Sequence, residues 1–312
     1  MHIEKIIYFG TAPIAVPALE ALHAQPDCQV LAVCTQPDRP SGRKRKLTPS
    51  AVKSCAERLG IPVLDPEKIS TARETLAGLQ ADLAVVFAYG QYIPASVFSL
   101  PARGSINFHP SLLPRYRGAS PIQSALLDGC ETSGLTVLEV SEKMDSGDLL
   151  YQETVPISPE DTSESLHERF GNLAAEWVPR ILSGLRDGSL QPVPQQEEEA
   201  TECGKIFKED GHIHWEESAE KIRNRIRAYQ PWPGAYIPMG SRGNLKILSA
   251  QTESGQGKPG EILQVGSDGP LIACGSGALR LRRVQPPGKN AMDGGSFLNG
   301  HPLQPGSVLG RE

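Results

Sequence analysis

The sequence predicts an α/β protein, a doubly wound and mostly parallel sheet followed by a smaller domain of short β-strands. Three observations carry that expectation. Short apolar runs alternate with helical stretches through residue 189. One of them, Leu83-Ala84-Val85-Val86-Phe87-Ala88, is apolar throughout, as a strand covered on both faces must be. After a polar, proline-containing break, the pattern changes to brief β-like runs punctuated by glycine.

Ile3 to Phe9 is an apolar run that stops at Gly10-Thr11, a strand leading into a tight turn. Ala15 to Leu22 reads as a helix and Gln29 to Cys34 as the next strand. The first turn, Phe9-Gly10-Thr11-Ala12-Pro13, lacks the GxGxxG spacing of dinucleotide sites, which argues against such a cofactor. Residues 35–53 form a long loop carrying Arg39, Arg43, Lys44, Arg45 and Lys46. Ordering so long a loop costs entropy, and its place after a strand at the site-bearing edge suits a basic flap over phosphates. A helix over 48–59, opened by Thr48-Pro49-Ser50, precedes a short strand from Ile61 to Leu64. The 83–88 strand follows, and then Gly104 to Phe108, which delivers Asn107 and His109 to the carboxyl edge where such sheets place their sites.

Asp161 to Gly184 looks helical, acidic near its start and glycine-ended, with a kink or break predicted at Pro179. Gln191 to Glu199 is polar and poor in apolar residues, the composition of a linker. The resulting division is 1–189, a linker over 190–206, and 207–312. Beyond the linker, a helix over about 217–229 sets Ile222, Ile226 and Tyr229 on one face. Runs at 244–249, 260–265, 270–274 and 278–284 suggest a small β-barrel or sandwich.

The 312 residues are 39% hydrophobic and 21% charged, a globular composition, with a net charge of −5. From Lys205 onward 14 Lys and Arg face 10 Asp and Glu, giving +4; before it 17 face 26, giving −9. An acidic half joined to a mildly basic tail suits a polyanionic substrate held mainly by the tail. The six cysteines show no CxxC pair or metal-like spacing, so reduced thiols in a cytoplasmic protein are expected. No stretch is long enough to span a bilayer, no basic and apolar leader opens the chain, and a monomer with no membrane partner is expected.

Asn107-Phe108-His109 and Asp145, within Lys143-Met144-Asp145-Ser146-Gly147-Asp148, offer an amide, an imidazole and a carboxylate. Acyl transfer to an amine needs an oxyanion donor, a group to manage protons, and a group that sets the charge of the second. Asn107 and His109 lie two apart, on one side of an extended chain, and Pro110 disfavours a helical backbone at His109. No serine elbow or cysteine nucleophile stands beside them, so direct transfer without an acyl-enzyme is expected. The Pro- and Gly-studded segment from Ser111 to Gln123 reads as a ligand wall.

Those residues, with Ser111-Leu112-Leu113-Pro114-Arg115-Tyr116-Arg117-Gly118, resemble the 10-formyltetrahydrofolate-dependent formyltransferases. Thr35 to Pro40, Leu47 to Ser50, Val86 to Gly90 with Pro94, Pro231 to Ala235 and Gln285 to Lys289 narrow the resemblance to members that act on methionyl-tRNA. The resemblance covers nearly the whole chain. It implies a Rossmann-like catalytic domain and an OB-like C-terminal domain that holds the acceptor stem. It further implies 10-formyltetrahydrofolate as formyl donor without metal, and the α-amine of methionyl-initiator tRNA as acceptor. Asn107 would donate to the formyl oxygen, His109 would serve as donor or proton shuttle, and Asp145 would orient it. Val86, Phe87, Ala88, Tyr89 and Gly90, with Ser111, Leu112, Leu113 and Pro114, would line the folate pocket, and Arg39, Arg43, Lys44, Arg45 and Lys46 would meet tRNA. The chain departs from the family's usual pattern at Ala12-Pro13 and at His214. A formyl-folate hydrolase or sugar-nucleotide formyltransferase would share the catalytic half, but a small acceptor needs neither basic loop nor tail. A non-catalytic RNA binder would have no need of all three residues.

Overall fold

The computed structural model describes residues 3–41 and 46–310. The chain forms β1 (Lys5–Gly10), β2 (Gln29–Cys34), β3 (Arg39–Ser41), β4 (Lys46–Thr48), β5 (Val63–Leu64), β6 (Leu83–Phe87), β7 (Ser105–His109), β8 (Arg117–Gly118), β9 (Thr132–Glu139), β10 (Leu149–Pro156) and β11 (Glu202–Cys203). Seven of these make one sheet in the order β10-β9-β7-β6-β1-β2-β5. Strands β5, β2, β1, β6 and β7 run parallel, so the mostly parallel sheet is present as expected. Its other edge is antiparallel, β9 against β7 and β10 against β9, a feature the sequence reading did not anticipate.

The apolar runs explain the centre of the sheet. Ile6, Ile7, Tyr8 and Phe9 of β1 are at most 2% exposed, and every residue of β6 is buried. Burying each side chain of this size contributes about 1.5–3 kcal/mol. From β1 the chain builds outward through β2 and β5, then returns to the other side for β6 and β7. The order therefore reverses between β1 and β6, and the crevice beyond their carboxyl ends is where open α/β sheets take ligands. The two ends are stitched together. Thr11 and Ala12 N–H donate to the Ala88 carbonyl at 3.2 and 3.4 Å, and the Thr11 hydroxyl donates to the Tyr89 carbonyl at 2.7 Å.

The 35–53 stretch contains a small hairpin, β3 against β4, rather than loop alone. At its base, Lys53 reaches Asp38 and Asp65 at 2.8 Å each, and these carboxylates raise the ammonium pKa above its ordinary value. Lys53 sits in the helix Ala51–Arg58, whose first turn is capped by the Ser50 hydroxyl accepting from Lys53 N–H at 2.9 Å. The helix Ser163–Asp187 is continuous across Pro179, so no break occurs there. Trp177, Val178, Ile181 and Leu182 around the proline are all buried, and tertiary packing of that face sustains the helix.

The chain divides into two compact units, and the division is not a single cut. One unit holds the chain up to Pro121, Thr132–Pro156 and His167–Gly204; the other holds Ile122–Glu131, Ile157–Leu166 and everything from Lys205. The segment read as a linker does not run free. Val193 exchanges backbone hydrogen bonds with Leu149 at 2.8 and 2.9 Å, and β11 pairs with β8, all within the first unit.

The second unit contains β12 (Ala235–Pro238), β13 (Asn244–Glu253), β14 (Ile262–Gln264), β15 (Leu271–Ala273), β16 (Ala278–Gln285) and β17 (Met292–Asp293). They pair antiparallel in the order β12-β13-β16-β15-β14, with β17 also on β16. Ile222 and Ile226 of the helix Ala219–Ala228 join its core with Leu245, Ile247, Leu279 and Leu281. No strand pairing among the described residues closes this sheet into a barrel. No described helix is long and apolar enough to cross a membrane.

Candidate active site

Strand β7 carries Asn107 and His109 on one side, and a loop between β9 and β10 brings Asp145 to both. The Asn107 amide Nδ2 donates to Asp145 Oδ1 at 3.3 Å, and Asp145 Oδ2 lies 3.6 Å from His109 Nδ1. Gly118 N–H donates to the same Oδ2 at 2.8 Å. The three residues named from sequence are thus brought together, in the layer of the sheet next to the β1/β6 crevice.

Their surroundings set what each can do. His109 is 4% exposed, and its Nε2 faces the Tyr116 carbonyl at 2.9 Å, an oxygen that only accepts, so Nε2 carries a proton. Its other nitrogen faces a carboxylate. Both ring nitrogens thus look toward oxygens, Nε2 within hydrogen-bond distance and Nδ1 at 3.6 Å, just beyond it. Asn107 is half-buried, and among the described residues its amide makes one hydrogen bond, leaving a second N–H for a ligand. An amide donor beside a buried imidazole and carboxylate is suited to stabilising an oxygen that becomes negative.

Asp145 is held in an uncommon backbone conformation, with φ of 51°. Gln195 supports it from the 190–206 segment: Nε2 donates to the Asp145 carbonyl at 2.9 Å and to the Gly147 carbonyl at 2.7 Å. Gln195 Oε1 accepts from Arg117 Nε and Nη2 at 3.0 and 2.7 Å, and Arg117 also grips Glu197 through two bonds of 3.1 and 2.7 Å. Arg117, with help from Lys143, holds the Glu197 carboxyl down to about 2 against its ordinary 4.5. The contribution of that pair is thus present above about 4.5 and is lost as pH falls toward 2. Sequence reasoning missed Gln195 and Glu197, since a Gln/Glu-rich stretch carries the same composition whether it is solvated or laid against a site.

Gly147 lacks a side chain because a methyl there would overlap the Glu139 carbonyl. Gly147→Ala is expected to destabilise the protein by about 1–3 kcal/mol, the usual cost of overpacking, measured as a lowered urea midpoint. An unchanged midpoint would mean the loop has room the geometry denies it.

The remaining residues named from sequence fall into three groups. Val86, Phe87 and Tyr89 are buried at the end of β6, whereas Ala88 and Gly90 are exposed, with φ of 47° and 79°. Ala88 and Gly90 thus present backbone at the crevice. Ser111, Leu113 and Pro114 are buried and Leu112 half-buried. Their backbone is partly committed: the Ser111 carbonyl accepts from Thr136 at 2.6 Å and the Leu113 carbonyl from Gln152 at 3.0 Å. Arg39 and Lys46 are exposed on the β3–β4 hairpin, and Arg43, Lys44 and Arg45 lie outside the described residues. A cavity of about 410 Å³ opens beside Arg103, Gly104 and Ser105, at the amino end of β7 and away from Asn107 and His109. Among the described residues, no group of three or more His, Cys, Asp or Glu is placed to hold a metal ion.

Comparison with known proteins gives the family. The profile described as formyl transferase matches residues 4–182, and that described as formyl transferase, C-terminal domain, matches residues 205–302. The chain is 41% identical to the methionyl-tRNA formyltransferase of Citrifermentans bemidjiense, covering 99% of this chain and 97% of that protein. It is 42% identical to the methionyl-tRNA formyltransferase of Acidiphilium cryptum, covering 98% and 100%. Among solved structures, HypX from Aquifex aeolicus in complex with tetrahydrofolic acid shares the fold, with a TM-score of 0.62 at 19% identity over 96% of this chain and 47% of that one. So does the N-formyltransferase from Helicobacter canadensis in complex with folinic acid and dTDP-3-aminofucose, with a TM-score of 0.66 at 20% identity over 90% and 99%.

Proposed function

Since the chain belongs to the formyl transferase family, we propose that it transfers the formyl group of 10-formyltetrahydrofolate to the α-amine of methionyl-initiator tRNA, for translation initiation in the cytoplasm. The observation that carries the reaction type is the Asn107 amide, tied to Asp145 by one N–H and open at the other, beside His109. Relatives named for action on methionyl-tRNA, alike over nearly their full length, support the acceptor.

The donor supplies an activated formyl carbon, and the residues of this chain do the rest. The amine attacks that carbon directly, the Asn107 N–H receives the oxygen as it becomes negative in the tetrahedral intermediate, and the C–N bond to the folate then breaks. The departing folate nitrogen ends with a proton and the amine ends with one fewer, so the exchange balances without a covalent enzyme. His109, with Nδ1 turned toward Asp145 at 3.6 Å, would serve beside that oxygen as a donor or proton shuttle. The exposure of Ala88 and Gly90 at the ends of β1 and β6, next to β7, supports a folate seat in that crevice. Arg39 and Lys46 on the exposed hairpin would meet phosphates of the tRNA end, together with Arg43, Lys44 and Arg45, and the mildly basic second domain would hold the acceptor stem by shape and phosphate contacts.

Incubating the purified protein with 10-formyltetrahydrofolate and charged initiator tRNA, an amino-sugar nucleotide, or water alone separates the alternatives. Formylmethionine on the tRNA is the expected product. Formylated sugar, or formate released equally in all three, would sink the assignment.

A further inference from the structure

We propose that Gln195 is a positioning residue for the Asp145 carboxylate. Gln195 is half-buried within a run of exposed neighbours, and both ends of its amide are used. The nitrogen donates to two carbonyls, Asp145 at 2.9 Å and Gly147 at 2.7 Å, while the oxygen accepts two N–H groups of Arg117. Reversing the amide would set nitrogen against guanidinium and oxygen against carbonyls, so its orientation is determined by its partners.

Asp145 needs such support. Its backbone sits at a φ of 51°, in the left-handed region that few residues other than glycine, asparagine and aspartate enter. In the loop from 140 to 148, Glu142, Lys143 and Met144 are exposed and only Gly147 is buried. Asp145 must nevertheless hold one oxygen toward Asn107 and the other toward Gly118 N–H and His109. Gln195 clamps the backbone on either side of Ser146, and its anchor, Arg117, is 3% exposed and adjoins Gly118 on β8. The clamp thus ties both partners of the carboxylate, the loop that carries it and the strand that receives it, to one side chain.

The kinetic part of the test rests on the formyl-transfer reading; the spectroscopic part does not. Gln195→Glu still accepts from Arg117, so the buried guanidinium keeps its partner and the fold is retained, but it faces the two carbonyls with an acceptor. The expected result is a fall in kcat of about ten- to a hundredfold, the scale of a displacement of about 1 Å in a reacting group, with KM for both substrates within about twofold. Hydrogen exchange at the Gly118 amide, whose bond is to the Asp145 carboxylate, should accelerate while amides of β6 do not change. Gln195→Met, which lacks both polar ends, should behave alike, and Gln196→Ala on the neighbouring exposed residue should match the parent protein. Unchanged Gly118 exchange, a kcat within twofold of the parent, or a KM rising in step with the loss of kcat would each overturn the proposal. If the parent protein formylates no tRNA, the functional reading fails and Gly118 exchange alone decides the role of Gln195.

Discussion

Asn107→Ala is expected to lower kcat by about a hundred- to a thousandfold, the usual cost of removing one donor to a developing oxyanion. The loss should fall on kcat and on kcat/KM together, because the open N–H meets the formyl oxygen most strongly when that oxygen carries charge. Folding should change little: Asn107 is half-buried, and the truncation removes a single 3.3 Å hydrogen bond to a carboxylate that keeps the Gly118 N–H. Asn107→Asp should be at least as damaging, since a carboxylate would then face Asp145 where a donor stood. Steady-state kinetics with a circular-dichroism spectrum for each variant checks both. Near-parental turnover in a folded Asn107→Ala protein would remove the amide from the mechanism.

The parts legible in the sequence are those where one physical demand acts on consecutive residues. Strands β1, β2 and β6 are buried on both faces, so their apolar runs are unbroken and point to a parallel sheet. Asn107 and His109 stood out because two polar groups interrupt the end of another such run. The antiparallel pair β9 and β10 was missed for the opposite reason. β10 is largely exposed between Gln152 and Thr154, and β9 mixes Thr, Ser and Gly with its leucines, so neither shows a clean period. Pro179 does not break its helix, because burial of Trp177, Val178, Ile181 and Leu182 around it outweighs the local rule. Gln195 was invisible because its meaning depends on Arg117 and Asp145, residues 78 and 50 positions away.

Asp145→Asn should cost roughly a thousand- to ten-thousandfold in kcat, the scale at which neutralising the carboxylate partner of an essential imidazole acts. Asparagine matches the shape but has one acceptor where aspartate has two. If that oxygen keeps the Gly118 N–H, the new NH2 faces the Asn107 amide, donor against donor, and Asn107 must turn away. If the oxygen turns to Asn107 instead, the NH2 opposes Gly118 N–H and a hydrogen bond of 2.8 Å is lost. Either way the negative charge facing His109 Nδ1 at 3.6 Å is gone, and with it the group that orients the ring. Asp145→Asn should therefore resemble His109→Gln in depth, and the double variant should be scarcely worse than either, because residues acting as one unit are not additive. Kinetic measurement of the four-member cycle decides the point. Fully additive losses would show that Asp145 acts on Asn107 alone, and His109 would then stand as an independent proton carrier.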